Sequence, residues 1–163
     1  MSKQGKVAIL DIDYHHGNGQ QNIFYDRADV LTLSLHGDPG STFPYFSGFK
    51  KERGTGIGKG FNINFPLPEN VTPEIYIETL AGALQRIYKF DPEFLVIALG
   101  FDTARGDPTG TWSLEADVFF RIGRMIGDLP FSTLFVQEGG YKMKTLSKNV
   151  RAFFRGMWKG SFE

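Results

Sequence analysis

The sequence has no cysteine and no excess of either charge, with 18 Lys+Arg against 18 Asp+Glu in 163 residues. Without cysteine there are no disulfides and no thiolate metal sites, so any metal must rest on histidine and carboxylate. The same absence fits a reducing, cytoplasmic setting. Charge balance removes the field that draws a protein to nucleic acid or anionic lipid, and neither is expected as a partner. Apolar runs span only a few residues, which predicts no membrane-crossing segment. Met1 to Lys6 is charged and leads straight into a strand, so no secretory leader is expected. What is present, 41% hydrophobic and 22% charged residues, is ordinary for a globular protein and predicts one domain over residues 1–163.

Short apolar runs alternate with amphipathic stretches. Val7–Leu10, Val30–Leu33, Phe61–Phe65, Phe94–Ala98 and Thr133–Val136 read as strands. Several are continuously apolar, as parallel strands covered on both faces are. Thr72-Pro73-Glu74 combines an N-cap, a proline at the first helical position and an acid in the first turn. The helix it opens carries the stripe Ile77, Leu80, Ala81, Leu84, Ile87 and Tyr88. Ser113 is the expected cap of a second helix that turns Val118, Phe119, Ile122, Met125 and Ile126 inward. A third is predicted over Thr145–Trp158, with Leu146, Val150, Phe153, Phe154 and Met157 on one face. The pattern predicts an open parallel α/β sheet with helices on both faces. Residues 36–60 form one long irregular stretch, a length often associated with function. Its end, Gly54 to Gly60, is not a P-loop, because Lys59 precedes glycine and a strand follows.

Ligands of open α/β sheets bind beyond the carboxyl ends of the strands, and the polar residues collect there. Asp11, Asp13, His15 and His16 follow the first strand and His36 the second. Asp102 follows the fourth, and Glu138 to Tyr141 the last; all three histidines lie on this edge. In an extended chain Asp11, Asp13 and His15, at i, i+2 and i+4, share a face. Such a group beside a buried strand end is costly unless a cation balances it; the alternative is a solvated strand end. Asp102 completes a set of two carboxylates and one imidazole, although alone it reads equally as a turn aspartate. Three ligands and an open fourth position are the pattern of a catalytic zinc site.

Asp11-Ile-Asp-Tyr-His-His-Gly-Asn-Gly19, Gly100-Phe-Asp-Thr-Ala-Arg-Gly-Asp-Pro108 and Glu138-Gly-Gly-Tyr141 resemble the zinc-dependent histone deacetylases and acetylpolyamine amidohydrolases, in particular class II-type and bacterial members. The three motifs occur in order across most of the chain. The resemblance implies the arginase/deacetylase type of sheet and zinc on Asp13, His15 and Asp102. It gives Tyr141 the task of donating to the substrate carbonyl oxygen; from the residues alone Tyr141 is also a plain turn aromatic. Phe43, Gly139 and Gly140 are implied as walls of an acyl-lysine channel, although Phe43 alone could be core. Asp11 and Asn18 match positions that orient the family's catalytic histidines. Asp11, Asp13, His15, Ser34 and Leu35 match a potassium site, the first three largely through backbone oxygens. Two-metal arginase-type enzymes need carboxylates where this chain has Gly17 and Ala104, so one metal is expected.

The same resemblance implies that the chain lacks the family's N-terminal portion and, with it, a tandem histidine pair acting as base and acid. The loss bears on rate. Two carboxylates neutralise the zinc charge and acidify its water less than three histidines would, and positioned proton transfer is worth ~10²–10⁴. The expected function is therefore removal of an acyl group from acetyl-lysine or acetylpolyamine. The alternatives are a catalytically impaired metal-binding protein, or an interaction module that is one half of a split or homo-oligomeric assembly.

Overall fold

A computed structural model describes residues 5–162, with side chains through residue 159; most of the charged N-terminal stretch lies outside the described residues. Five strands, β1 (Val7–Asp11), β2 (Val30–Gly37), β3 (Asn62–Leu67), β4 (Phe94–Leu99) and β5 (Ser132–Gln137), form one sheet of order β3-β2-β1-β4-β5. Every pairing is parallel. The chain runs outward from β1 to β3, then crosses back to β4. β1 and β4 therefore flank the point where the direction of winding reverses, and a crevice opens there beyond their carboxyl ends.

The helices are α1 (Asn18–Phe24), α2 (Pro73–Phe90), α3 (Ala116–Gly127) and α4 (Met143–Phe162). Thr72 caps α2 as its sequence predicts, its side chain accepting from the Ile75 amide. Ser113 does not cap α3. The N-cap is Glu115, without a side-chain bond, and α3 begins at Ala116. The short helix α1 falls inside a motif that sequence periodicity does not mark as helical. His36 lies within β2 rather than after it, because β2 continues to Gly37. Between β2 and β3 the only helical turn among the described residues is Gly56–Gly58.

One sheet face carries Ala8, Leu10, Leu95 and Ile97, all fully buried, and is covered by α2, α3 and α4. There the rings of Phe101, Phe119, Phe135 and Phe153 meet at 5.3–6.2 Å between centroids. α3 and α4 cross closely, since a Cβ on Gly123 or Gly156 would fall 2.0 Å from the Phe153 or Phe120 carbonyl oxygen. The other face is well covered over β2 and β3 only. Gln21 of α1 spans it, accepting from Asn62 and Asn64 at 2.8 Å. Over β4 and β5 that face is only partly covered, with Phe94 51%, Leu134 60% and Val136 41% exposed. Helices thus lie on both faces of the sheet, as the sequence predicts, but among the described residues β4 and β5 are well covered on one face only.

The α2 stripe is also shifted. Leu80, Leu84 and Ile87 are core, but Tyr76 is buried in place of Tyr88, which is 63% exposed. Phe154 of α4, expected inward, is 44% exposed. No helix among the described residues is long and apolar enough to cross a membrane. Leu80→Ala should cost about 2–5 kcal/mol of stability, whereas Tyr88→Ala should stay within about 0.5 kcal/mol. Denaturant titration of both variants checks this division of the helix.

Candidate metal centre

β1 ends at Asp11, and the backbone then bends rather than continuing extended. Two side-chain-to-backbone bonds make the bend: the Asp13 amide donates to Asp11 Oδ1 at 3.1 Å and the His15 amide to Asp13 Oδ1 at 2.8 Å. Asp11, Asp13 and His15 therefore do not follow one extended line, although all three border the same cavity. Tyr14, between the two predicted ligands, drives the turn from the opposite side. Its ring is buried edge-on against Trp112, 4.8 Å between centroids, and its hydroxyl lies 2.9 Å from Thr111 Oγ1. Nothing in the spacing of the motif marks Tyr14 as its anchor.

Asp102 arrives from the loop after β4 and is wholly buried. Its Oδ1 accepts from the Tyr14 amide at 2.8 Å and its Oδ2 lies 3.0 Å from His15 Nδ1. His15 Nδ1 is also 3.4 Å from Asp13 Oδ1. Asp13, His15 and Asp102 thus present ligand atoms all within 4.8 Å of one another, the one such group among the described residues. Gly139 closes the floor. Its amide donates to Asp13 Oδ2 at 2.8 Å, and a Cβ there would fall 2.6 Å from both Asp13 Oδ2 and Asp102 Oδ2.

Asp11 is not part of this group. Its Oδ2 accepts from Ser34 Oγ at 3.2 Å and from Gln20 Nε2 at 3.1 Å. Ser34 sits beside it in the β1–β2 register, and Leu35 follows with its side chain in the core. Asn18 opens α1 with its amide on the His16 carbonyl, so Gln20 is the Asp11 partner that sequence reasoning missed. Of the other two histidines, His16 borders the cavity above the cluster with its buried Nδ1 unpartnered, whereas His36 is fully engaged. His36 Nε2 donates to the Gly48 carbonyl at 2.9 Å, Nδ1 lies 2.8 Å from Ser34 Oγ, and the ring lies 4.5 Å from that of buried His16, tilted by 56°. Burial, then neighbouring His16, pulls the His36 pKa down to about 4, and burial lowers that of His16 as well.

A cavity of about 610 Å³ opens above the cluster, bordered by Asp13, His15, Gly139, Phe43 and Tyr141. Phe43 and Tyr141 are 57% and 56% exposed, and Phe43 stands edge-on to His15 at 6.3 Å. Gly140 turns away from the cavity and backs onto Phe101 and Leu146. Tyr141 is held by its main chain, whose amide donates to Asp107 Oδ2 at 2.7 Å.

The electrostatics are those of a site short of positive charge. Burial, then the Asp13 charge, pushes the Asp11 pKa well above the carboxylate range. Burial, with the nearby Asp13, raises Asp102 to about 6. Burial also opposes the charge of Asp13, but hydrogen bonding with His15, Asp102 and the Gly139 amide holds its pKa below the usual value. Hydrogen bonds to Asp102 and then Asp13 raise His15 to about 10, so its proton serves as the local cation. That contribution to stability is complete below pH 6.5 and is lost as pH rises through about 10. Two carboxylates and one imidazole around one position suit a zinc ion, which could replace that proton.

A model of the histone deacetylase domain matches residues 1–157. An acetylpolyamine amidohydrolase of Burkholderia pseudomallei is 44% identical over 155 residues, 95% of this chain and 46% of the relative. Histone deacetylase 15 of Arabidopsis thaliana is 37% identical over 153 residues, 92% of this chain and 28% of the relative. The crystal structure of the Burkholderia pseudomallei acetylpolyamine aminohydrolase superposes with a TM-score of 0.94 at 44% identity, covering 96% of this chain and 46% of that one. A histone deacetylase homologue complexed with SAHA gives 0.90 at 29% identity, covering 95% and 42%. The chain thus spans less than half the length of these relatives. With the domain model matched along nearly its whole length and the sheet superposing on the family's structures, the chain belongs to the histone deacetylase domain family.

Proposed function

We propose that the chain is a zinc-dependent amide hydrolase of the deacetylase type, acting on an acylated amine such as acetyl-lysine or an acetylpolyamine. One observation carries the reading: Asp13, His15 and Asp102 converge beneath a cavity that Tyr141 and Phe43 border. Zinc held by these three residues would supply a Lewis acid for the amide carbonyl and a water more acidic than bulk. The Tyr141 hydroxyl donates a hydrogen bond to the carbonyl oxygen as negative charge builds on it. Phe43, with Tyr45 edge-on at 6.3 Å, offers an apolar wall to an aliphatic arm, and Gly139 leaves room for the acyl group.

We assign Asp11, Asp13, His15, Ser34 and Leu35 to a potassium ion, the first three largely through backbone oxygens. A fully buried carboxylate needs a proton or a cation, and Asp11 has neighbouring acids and no ion pair among the described residues. His36 has both nitrogens engaged and His15 belongs to the cluster; His16, at the cavity edge with its Nδ1 unpartnered, is the imidazole left over, and burial lowers its pKa. Asp11 and Asn18 would support imidazoles supplied from outside the residues of this sequence. The partly covered face over Phe94, Leu134 and Val136 favours pairing with a further polypeptide, or with a second copy, because contiguous apolar surface of this kind marks interfaces.

Purified protein should hold about one equivalent of zinc, lost in His15→Ala and Asp102→Ala; elemental analysis reads this, and two tightly held metals would sink the assignment. Zinc binding should release about one proton between pH 6 and 10, from His15, and about two below pH 6, where Asp102 also carries one. Calorimetry in buffers of different ionisation enthalpy measures the number.

The zinc-loaded chain should hydrolyse acetyl-lysine peptide very slowly and an activated acetyl ester faster, since a good leaving group needs no proton. Tyr141→Phe should lower ester hydrolysis by ~10²-fold. Fast peptide turnover, abolished by Tyr141→Phe and by metal removal, would show that another base is in place.

Sedimentation should give a mass above the 18.3 kDa of one chain, and Leu134→Glu should shift it toward the monomer. A monodisperse wild-type monomer at high concentration would count against the interface.

A further inference from the structure

We infer that Asp107 is the positioning residue for Tyr141, locking the tyrosine to the metal centre through the main chain; this rests on the role proposed for Tyr141 above. The Tyr141 side chain is more than half exposed, and no ring contact holds it among the described residues. Its place must therefore be set by its backbone. On one side the Gly139 amide is bound to Asp13 Oδ2 at 2.8 Å, and the Gly139 carbonyl accepts from the Phe101 amide at 2.8 Å. Gly140 follows at φ +136°, a conformation that packs its backbone onto Phe101 and that side chains rarely adopt. On the other side Asp107 Oδ2 accepts from both the Tyr141 amide, at 2.7 Å, and the Lys142 amide, at 3.0 Å.

Asp107 is only 5% exposed and forms no ion pair among the described residues. A buried carboxylate without a cation must be satisfied by donors. Its second oxygen takes two, the Thr109 amide at 3.0 Å and the Thr109 hydroxyl at 2.8 Å. All four donors point at a negative charge, and bonds of that kind are shorter and stronger than neutral ones. An asparagine of the same shape would face the Tyr141 and Lys142 amides with an NH₂, losing both bonds, or with a neutral carbonyl, which binds them more weakly than a carboxylate. In the second case the Thr109 hydroxyl rotates to accept from the NH₂.

The chain position of Asp107 gives these bonds their use. Asp102 and Asp107 lie on one short loop, closed by the Ala104 amide on the Phe101 carbonyl at 3.2 Å and the Asp107 amide on the Ala104 carbonyl at 3.1 Å. The carboxylate facing the metal position and the carboxylate gripping Tyr141 therefore move as one piece. A group that must meet a developing oxyanion has to be held in place before the reaction, and this loop transfers the rigidity of the metal centre to an exposed phenol.

The test compares zinc-loaded wild type, Asp107→Asn, Tyr141→Phe and the double variant. It reads zinc content, amide hydrogen exchange by NMR, and hydrolysis of p-nitrophenyl acetate. Asp107→Asn should keep its zinc, speed exchange of the Tyr141 and Lys142 amides about tenfold while leaving Gly139 unchanged, and lower kcat about tenfold with little change in KM. In the Tyr141→Phe background it should cause no further loss. Unchanged exchange at Tyr141 and Lys142, or an equal loss of rate without the tyrosine hydroxyl, overturns the inference. If Tyr141→Phe alone leaves the rate unchanged, the proposed function of Tyr141 falls, and exchange at the two amides alone decides the role of Asp107. Should Asp107→Asn not fold, Thr109→Ala, at an exposed position, loosens the same carboxylate. It should speed the two amides severalfold, and no change there is equally fatal.

Discussion

The structure depends on the meeting of two buried carboxylates, Asp13 and Asp102, around one imidazole at the reversal point of the sheet. Like charges in that position repel, and burial raises the cost of each. What makes the arrangement tolerable is the number of donors aimed at it. Asp13 takes the amides of His15 and Gly139, Asp102 takes the Tyr14 amide, and both share the His15 ring. These bonds join the loops after β1, β4 and β5, which are far apart in the chain. The same contacts that reduce the electrostatic cost therefore define the crevice.

A second polar assembly supports the first from beneath. Thr32, Ser34 and His36 of β2 and Asn62 and Asn64 of β3 face one side of the sheet, where an apolar core would be usual. Gln21 of α1, Glu52 and the carbonyls of Gly48 and Phe49 satisfy them. Because the bonds to Gly48, Phe49 and Glu52 reach into residues 38–61, they hold the long connection in place with little regular secondary structure. Phe43, which borders the cavity, belongs to that connection. Hydrogen bonds rather than apolar packing thus set one wall of the site, and His36, buried inside this assembly with both ring nitrogens engaged, acts as structure.

The two halves of this sheet face contrast sharply. Polar groups, α1 and the long loop cover β2 and β3, whereas β4 and β5 present Phe94, Val96, Leu134 and Val136 in register with only partial cover. The cavity opens along the same side, bordered by Ala98 at the end of β4. The apolar surface and the reactive cluster are thus continuous, and a partner seated on one would roof the other.

Much of this could be read from the residues alone. The five strands, three of the four helices and the parallel α/β class follow from apolar periodicity and end signals, which are properties of neighbouring residues. Asp13, His15 and Asp102 could be named because metal chemistry restricts residue type and because strand ends are where such groups gather. Other features depended on residues distant in sequence. Tyr76 is buried and Tyr88 exposed because Trp112 fills the space beside α2, and one helical face cannot reveal what stands opposite. Asp11 leaves the extended line of the motif because Ser34 and Gln20 offer it donors and the Asp13 amide bends the chain. The grip of Asp107 on Tyr141 spans 34 residues, and nothing local in either motif announces it. Residue type and local spacing determined which chemistry the chain could hold; tertiary structure decided where each charge lies and what neutralises it, because burial and hydrogen bonding are set by neighbours that only folding brings together.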